Sequence, residues 1–178
     1  METAMPTLIP VITRENTCCF SGYRPEKLSW RGDETDPRCI RLKADIDAAV
    51  ESAYRAGTRH FICGMARGCD MYFCESVLAL RLEHHDVTLE AAAPYARQSS
   101  GWTAADRARY DRLMSDCDVR TFVSTEYRRG GMAKRNRYMV KRASLIIAVY
   151  DGKPGGTRYT YAYAQKHGLR TVLLTPPE

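Results

Sequence analysis

The stretch Leu145-Ile146-Ile147-Ala148-Val149-Tyr150-Asp151-Gly152-Lys153-Pro154-Gly155-Gly156-Thr157 decides the fold class. Its first part is a continuous apolar run, the pattern of a strand buried on both faces of a parallel sheet. A glycine turn follows, then a helical pattern to about His167, and Thr171 to Leu174 reads as another strand. Working back toward the N-terminus, the same alternation recurs. Thr17 to Ser21 forms a first apolar segment ending at Gly22. A helix is predicted from about Pro37 to Arg55, with Ile40, Ile46, Val50, Ala53 and Tyr54 at helical spacing and Gly57 where a C-terminal cap belongs. Arg59 to Cys63 reads as a strand, Asp70 to Glu83 as a helix, and Val87 to Ala93 as a strand stopped by Pro94. Thr103 to Ser115 is a polar helix, Asp118 to Val123 a fourth strand, and Met132 to Ala143 a further helix. Strands alternating with helices imply an α/β domain, a mostly parallel sheet covered by helices on both faces. Ligands bind such sheets at the carboxyl ends of the strands, where strand order reverses.

The remaining composition fits one soluble domain. A chain of 178 residues with 44% hydrophobic and 27% charged residues buries roughly 70% of its unfolded surface. Residues 1–16 read as a flexible leading segment and 17–178 as a single domain. The connection from Arg24 to Asp36 also reads as loosely held, a lid carrying Trp30. The apolar run at Leu145 is far short of the ~20 residues of a membrane span, so no membrane association is expected. Residues 1–17 contain Pro6, Pro10, Arg14 and Glu15, which breaks the apolar core of a secretory signal. Seven cysteines, mostly inside apolar pattern, read as buried free thiols in a reducing cytoplasm. No Cys-x-x-Cys pair exists; His60 with Cys63 and Cys69 with Cys74 are weak metal pairs, and no metal site is assigned. The net charge of +6 suits a small phosphorylated ligand as well as nucleic acid.

Three turns after predicted strands carry the chemistry. In Ser21-Gly22-Tyr23-Arg24-Pro25, Gly22 admits a ligand to the backbone and Arg24 has paired donors for phosphate; a plain surface arginine is the competing reading. In Gly64-Met65-Ala66-Arg67-Gly68-Cys69-Asp70, a glycine-bearing turn opens a helix, whose free N–H groups and dipole favour an anion. The spacing is neither a dinucleotide fingerprint nor a P-loop. Asp70 reads equally as a helix N-cap. In Pro154-Gly155-Gly156-Thr157, two glycines again bring backbone to a ligand, and Thr157 caps the helix or donates to phosphate. A basic run, Arg128, Arg129, Lys134, Arg135, Arg137, Lys141 and Arg142, is spread around its helix; Arg135 and Asn136 are the members assigned to the ligand edge. Tyr159 and Tyr163 share a helix face, as a core contact or as a platform for a base. The assignment is that Gly64, Met65, Gly68, Gly155, Gly156 and Thr157 cradle phosphate, Arg24 and Arg135 neutralise it, and Asp70 and Asn136 orient a sugar or base.

Cys18 through Leu28, Gly64 through Asp70, Arg135 through Val140 and Gly155-Gly156-Thr157, with Pro94, Gln98 and Trp102, resemble the YpsA-like branch of the SLOG superfamily. The resemblance covers about Thr17 to Leu174. It implies a Rossmann-like, doubly wound domain related to LONELY GUY hydrolases and Smf/DprA DNA-processing proteins. It also implies a nucleotide-derived ligand such as NAD, ADP-ribose or a nucleoside monophosphate, held by a sensor or regulator. The alternative it implies is N-glycosidic hydrolysis, with single-stranded DNA binding a lesser one and a homodimer an expectation. The hydrolase motif resembles Pro-Gly-Gly-x-Gly-Thr-x-x-Glu, whereas here Thr157 is followed by Arg158-Tyr159-Thr160-Tyr161 with no carboxylate. If hydrolysis is retained, Arg135 matches the arginine of the other motif, and Asp70 or Asp151 must converge on the ligand to replace the missing acid.

Overall fold

A computed structural model describes residues 10–178; the part of the predicted leading segment at residues 1–9 lies outside them. Six strands form one sheet in the order β4-β3-β2-β1-β5-β6, and every neighbouring pair is parallel. The strands are β1 (Thr17–Gly22), β2 (His60–Cys63), β3 (Thr88–Ala93), β4 (Val119–Phe122), β5 (Leu145–Val149) and β6 (Arg170–Leu174). Between them run α1 (Pro37–Arg55), α2 (Cys69–Glu83), α3 (Ala104–Asp116), α4 (Gly131–Arg142) and α5 (Gly156–Lys166). Helices α1, α2 and α3 pack in sequence on one another, and α4 packs on α5, giving one helical layer on each face of the sheet. The alternation read from sequence is therefore the observed fold, with element ends displaced by a residue or so.

Inner strands are buried along their length, as a sheet covered on both faces requires, while the edge strands β4 and β6 are only partly covered. Phe20 of β1 stacks on Phe73 of α2 with ring centroids 4.4 Å apart, and Phe61 meets the same ring at 6.1 Å. Each such buried side chain contributes roughly 1.5–3 kcal/mol. All seven cysteines are free and buried; burial pushes the Cys19 and Cys117 thiols up to about 12, so they stay neutral and serve as packing.

Helix α1 begins where Asp36 accepts from the Arg38 amide at 2.8 Å, with Pro37 in the first turn. It buries Cys39, Leu42, Ile46, Val50 and Ala53. Ile40, assigned to the same face by spacing, instead points outward and is 57% exposed. The lid reading of Arg24–Asp36 is also corrected. Leu28 and Trp30 are buried in the core, and Glu34 bridges Lys43 of α1 and Arg109 of α3. These buried and ion-paired side chains hold the connection in place.

Strand order decides where a crevice forms. The chain steps from β1 through β4 to one side, then returns to place β5 on the other side of β1. Gly22 pairs in register with Val149, so the turns leaving β1 and β5 diverge from adjacent points. That is the topological switch point.

Candidate functional site

A cleft of about 330 Å³ opens at this point. Of the residues assigned from sequence, Gly22, Arg24, Asp70, Arg135, Asn136, Gly156 and Thr157 line it. Gly64, Met65, Gly68, Gly155 and Asp151 do not. Sequence reasoning missed Ser21, Tyr23, Glu26 and Lys27 at and after the end of β1, Ala66 before α2, and Met132 and Met139 on α4. A signal for the methionines existed, since they stand three residues before and four after Arg135 and so share its helix face.

The turn opening α2 divides, with Ala66 and Asp70 lining the cleft and Gly64, Met65 and Gly68 lying behind it. Arg135 is 5% exposed and donates through Nη1 to the Gly64 carbonyl, with a longer contact to the Ala92 carbonyl at 3.3 Å. Its Nε donates to Asn136 Oδ1 at 2.7 Å. A Cβ on residue 64 would lie 2.5 Å from the Arg135 Cζ, so glycine there gives room to the guanidinium. Gln98 joins it on the same carbonyl, donating through Nε2 at 3.4 Å. Met65 is fully buried against Cys74, Sγ to Sδ 3.4 Å. Gly68, at φ +83°, begins α2 beneath the Tyr23 carbonyl, a backbone conformation that favours glycine.

Asp70 is not the N-cap of α2; that position belongs to Gly68. The Asp70 carboxylate is 5% exposed, accepts from the Ala66 amide at 3.0 Å and faces the cleft. Among the described residues it has no direct ion pair. Burial pushes its pKa up, opposed by the positive charge of Arg135, the Ala66 amide and Arg24. Burial likewise lowers the pKa of Arg135.

Asp151 and Asp70 do not converge. Asp151 accepts from the Tyr23 hydroxyl at 2.5 Å and pairs with Lys153 at 2.7 Å, contacts that hold it well below the usual carboxylate range, that of Lys153 foremost. Thr160, three residues beyond Thr157, turns its hydroxyl back to the Gly156 carbonyl at 2.9 Å. Tyr159 and Tyr163 lie outside the cleft lining and stack on each other at 6.2 Å.

The cleft mouth carries Arg24 and Lys27, with the Glu26 carboxylate between them in sequence and paired with Arg67. Arg24 is exposed there. Lys27 reaches across the crevice, its Nζ donating to the Pro154 carbonyl at 3.2 Å. No side chain caps α5, which leaves the N–H groups of its first turn without side-chain acceptors beside these charges.

The model of the YspA SLOG family matches residues 18–173. The chain belongs to this family. The SPbeta prophage-derived protein YoqJ of Bacillus subtilis (strain 168), itself described as uncharacterized, is 30% identical over 144 residues, covering 74% of this chain and 84% of YoqJ. The UPF0398 protein SH1465 of Staphylococcus haemolyticus is 24% identical over 143 residues, 79% of this chain and 76% of its own. Among solved structures, DNA processing protein A (DprA) from Streptococcus pneumoniae superposes with a TM-score of 0.61 at 12% identity, over 88% of this chain. This chain spans 49% of DprA, and the likeness is one of fold. Membership in the SLOG family agrees with a cleft at the switch point of a Rossmann-like sheet. No helix among the described residues is long and apolar enough to cross a membrane.

Proposed function

We propose that the cleft binds a nucleotide or nucleotide-derived phosphorylated ligand and that the protein acts as a sensor or regulator. The observation that carries this reading is the division of charge within one cleft. Arg24, Lys27 and the uncapped first turn of α5 gather at its mouth, where Arg67 pairs with the Glu26 carboxylate, and the buried Asp70 carboxylate lies at its floor. Phosphate belongs at the mouth, where donors and the helix dipole converge. A ribose hydroxyl or base amine belongs against Asp70 and Asn136, with the Met132 and Met139 side chains as the apolar wall. The volume lies at the small end for ligand pockets and suits one nucleotide unit. Titration calorimetry with AMP, ADP-ribose and NAD tests this. Arg24→Ala should weaken binding by about 1.5–3 kcal/mol, the scale of a bond to a charged group. Unchanged affinity would remove Arg24 from the site.

A second reading, N-glycosidic hydrolysis, is favoured by one feature, the proton affinity of Asp70 inside the cleft. Release of free base from AMP that is lost in Asp70→Asn would establish it. Binding without base release supports the sensor. The absence of a carboxylate at Thr160 and the engagement of Asp151 elsewhere weigh toward binding alone.

A further inference from the structure

A second depression lies on the same edge of the sheet, beyond the ends of β3 and β4. It has a volume of about 440 Å³ and is lined by Tyr95, Arg97, Ser100, Thr125, Glu126 and Tyr127. Tyr127 is 73% exposed and meets Tyr95 edge to face, centroids 5.6 Å apart and planes at 82°. At that exposure most of the Tyr127 ring stays open to solvent. Arg97, and Arg128 and Arg129 immediately after Tyr127, belong to no ion pair among the described residues.

The depression adjoins the cleft. A Cβ on Gly131, the first residue of α4, would lie 4.0 Å from Pro94, the neighbour of Tyr95. The next residue, Met132, lines the cleft and meets Arg24 through its sulfur at 4.0 Å. The first turn of α4 thus approaches the segment that leads into the depression and also lines the cleft.

Resting on the reading of the cleft as a nucleotide site, we propose that this depression is a second base subsite, and that the ligand carries two bases joined through phosphate. An open tyrosine face stacks any base. The Glu126 carboxylate and the Ser100 and Thr125 hydroxyls are suited to amino groups on a base edge. The phosphate seated by Arg24 and Lys27 links the two bases, Arg97 adds a cation beside the second one, and Glu126 is kept for the base by its negative charge. A lone phosphate or a single nucleotide makes no use of the tyrosine corner. The same two-base chemistry comes from a free dinucleotide or from the end of a single strand.

The test is calorimetry on the full chain with AMP, NAD and a deoxyadenylate tetranucleotide, on wild type, Tyr127→Ala and Tyr127→Phe. The second base should tighten binding by about tenfold or more over AMP, the equivalent of 1.4 kcal/mol of stacking. Tyr127→Ala should remove that gain and leave AMP binding unchanged, and Tyr127→Phe should retain it. A gain with NAD alone identifies a free dinucleotide. A gain with the tetranucleotide that falls steeply with salt identifies a strand. AMP binding with no gain from a second base, or an equal loss of AMP and two-base affinity in Tyr127→Ala, overturns this inference alone. Failure of AMP to bind overturns the reading of the cleft and this inference with it.

Discussion

The Arg135 guanidinium of α4 is seated on the carbonyl of Gly64, at the end of β2. The contact ties α4 to the carboxyl ends of β2 and β3, and it depends on the missing side chain at residue 64. Gly64→Ala should force the guanidinium out of its place and lower stability by about 1–3 kcal/mol, the cost of overpacking. Urea denaturation measures this; an unchanged midpoint would show that Arg135 relocates freely.

Removing the guanidinium itself tests whether its role is architectural. Arg135→Met leaves the Gly64 carbonyl without its principal donor and should cost at least about 1–3 kcal/mol. Arg135→Lys should recover little, because one ammonium cannot reproduce a planar fork engaging Gly64, Ala92 and Asn136 together. Full recovery by lysine would mean that charge alone is required.

Asp70 sets a distinct pH dependence. Its folded pKa is raised by burial above the usual 3.8, so the folded state holds this proton more tightly than the unfolded chain. The resulting penalty is absent below about the usual value, grows as pH rises toward the folded pKa, and is fully present above it. Asp70→Asn should therefore be more stable than wild type at neutral pH, with the difference in melting temperature closing on acidification. A difference that does not vary with pH would show that Asp70 titrates alike in both states.

Glu90 of β3 behaves in the opposite sense. It is 5% exposed, and burial acts to raise its pKa, but bonds from His60 at 2.9 Å, Tyr138 at 2.7 Å and Thr121 at 2.8 Å outweigh burial and leave it lowered from 4.5. Its stabilisation is present above 4.5 and is lost as pH falls through the lower folded pKa. Tyr138→Phe should cost about 1.5–3 kcal/mol at pH 7, the scale of a hydrogen bond to a charged group. Denaturation curves repeated at falling pH should show that cost shrinking; a constant cost would assign Tyr138 a packing role only.

Much of the fold was legible because its signals are local. The buried run Leu145–Val149, the helix start at Pro37 and the Gly57 stop each follow from a few adjacent residues, and each stands where expected. Ile40 was misread because spacing alone cannot tell which edge of an amphipathic stripe the neighbouring helix covers. A long stretch without periodicity gives no sign of what it packs against, which is why the burial of Trp30 shows only in the structure.

The sequence by itself determined the order of strands and helices, the turns that end at one sheet edge, and the family. Only the tertiary structure decided which of those turns face the cleft and which serve the protein's own packing. Arg135 meets Gly64 across 71 residues of chain, and Tyr23 meets Asp151 across 128. Periodicity records how a residue sits in its own helix or strand. The partner of a buried guanidinium or a tyrosine hydroxyl is set by strand order and register, which bring together groups with no local trace of one another. That is why two aspartates equal in sequence separate in space, Asp70 into the cleft and Asp151 onto Tyr23 and Lys153.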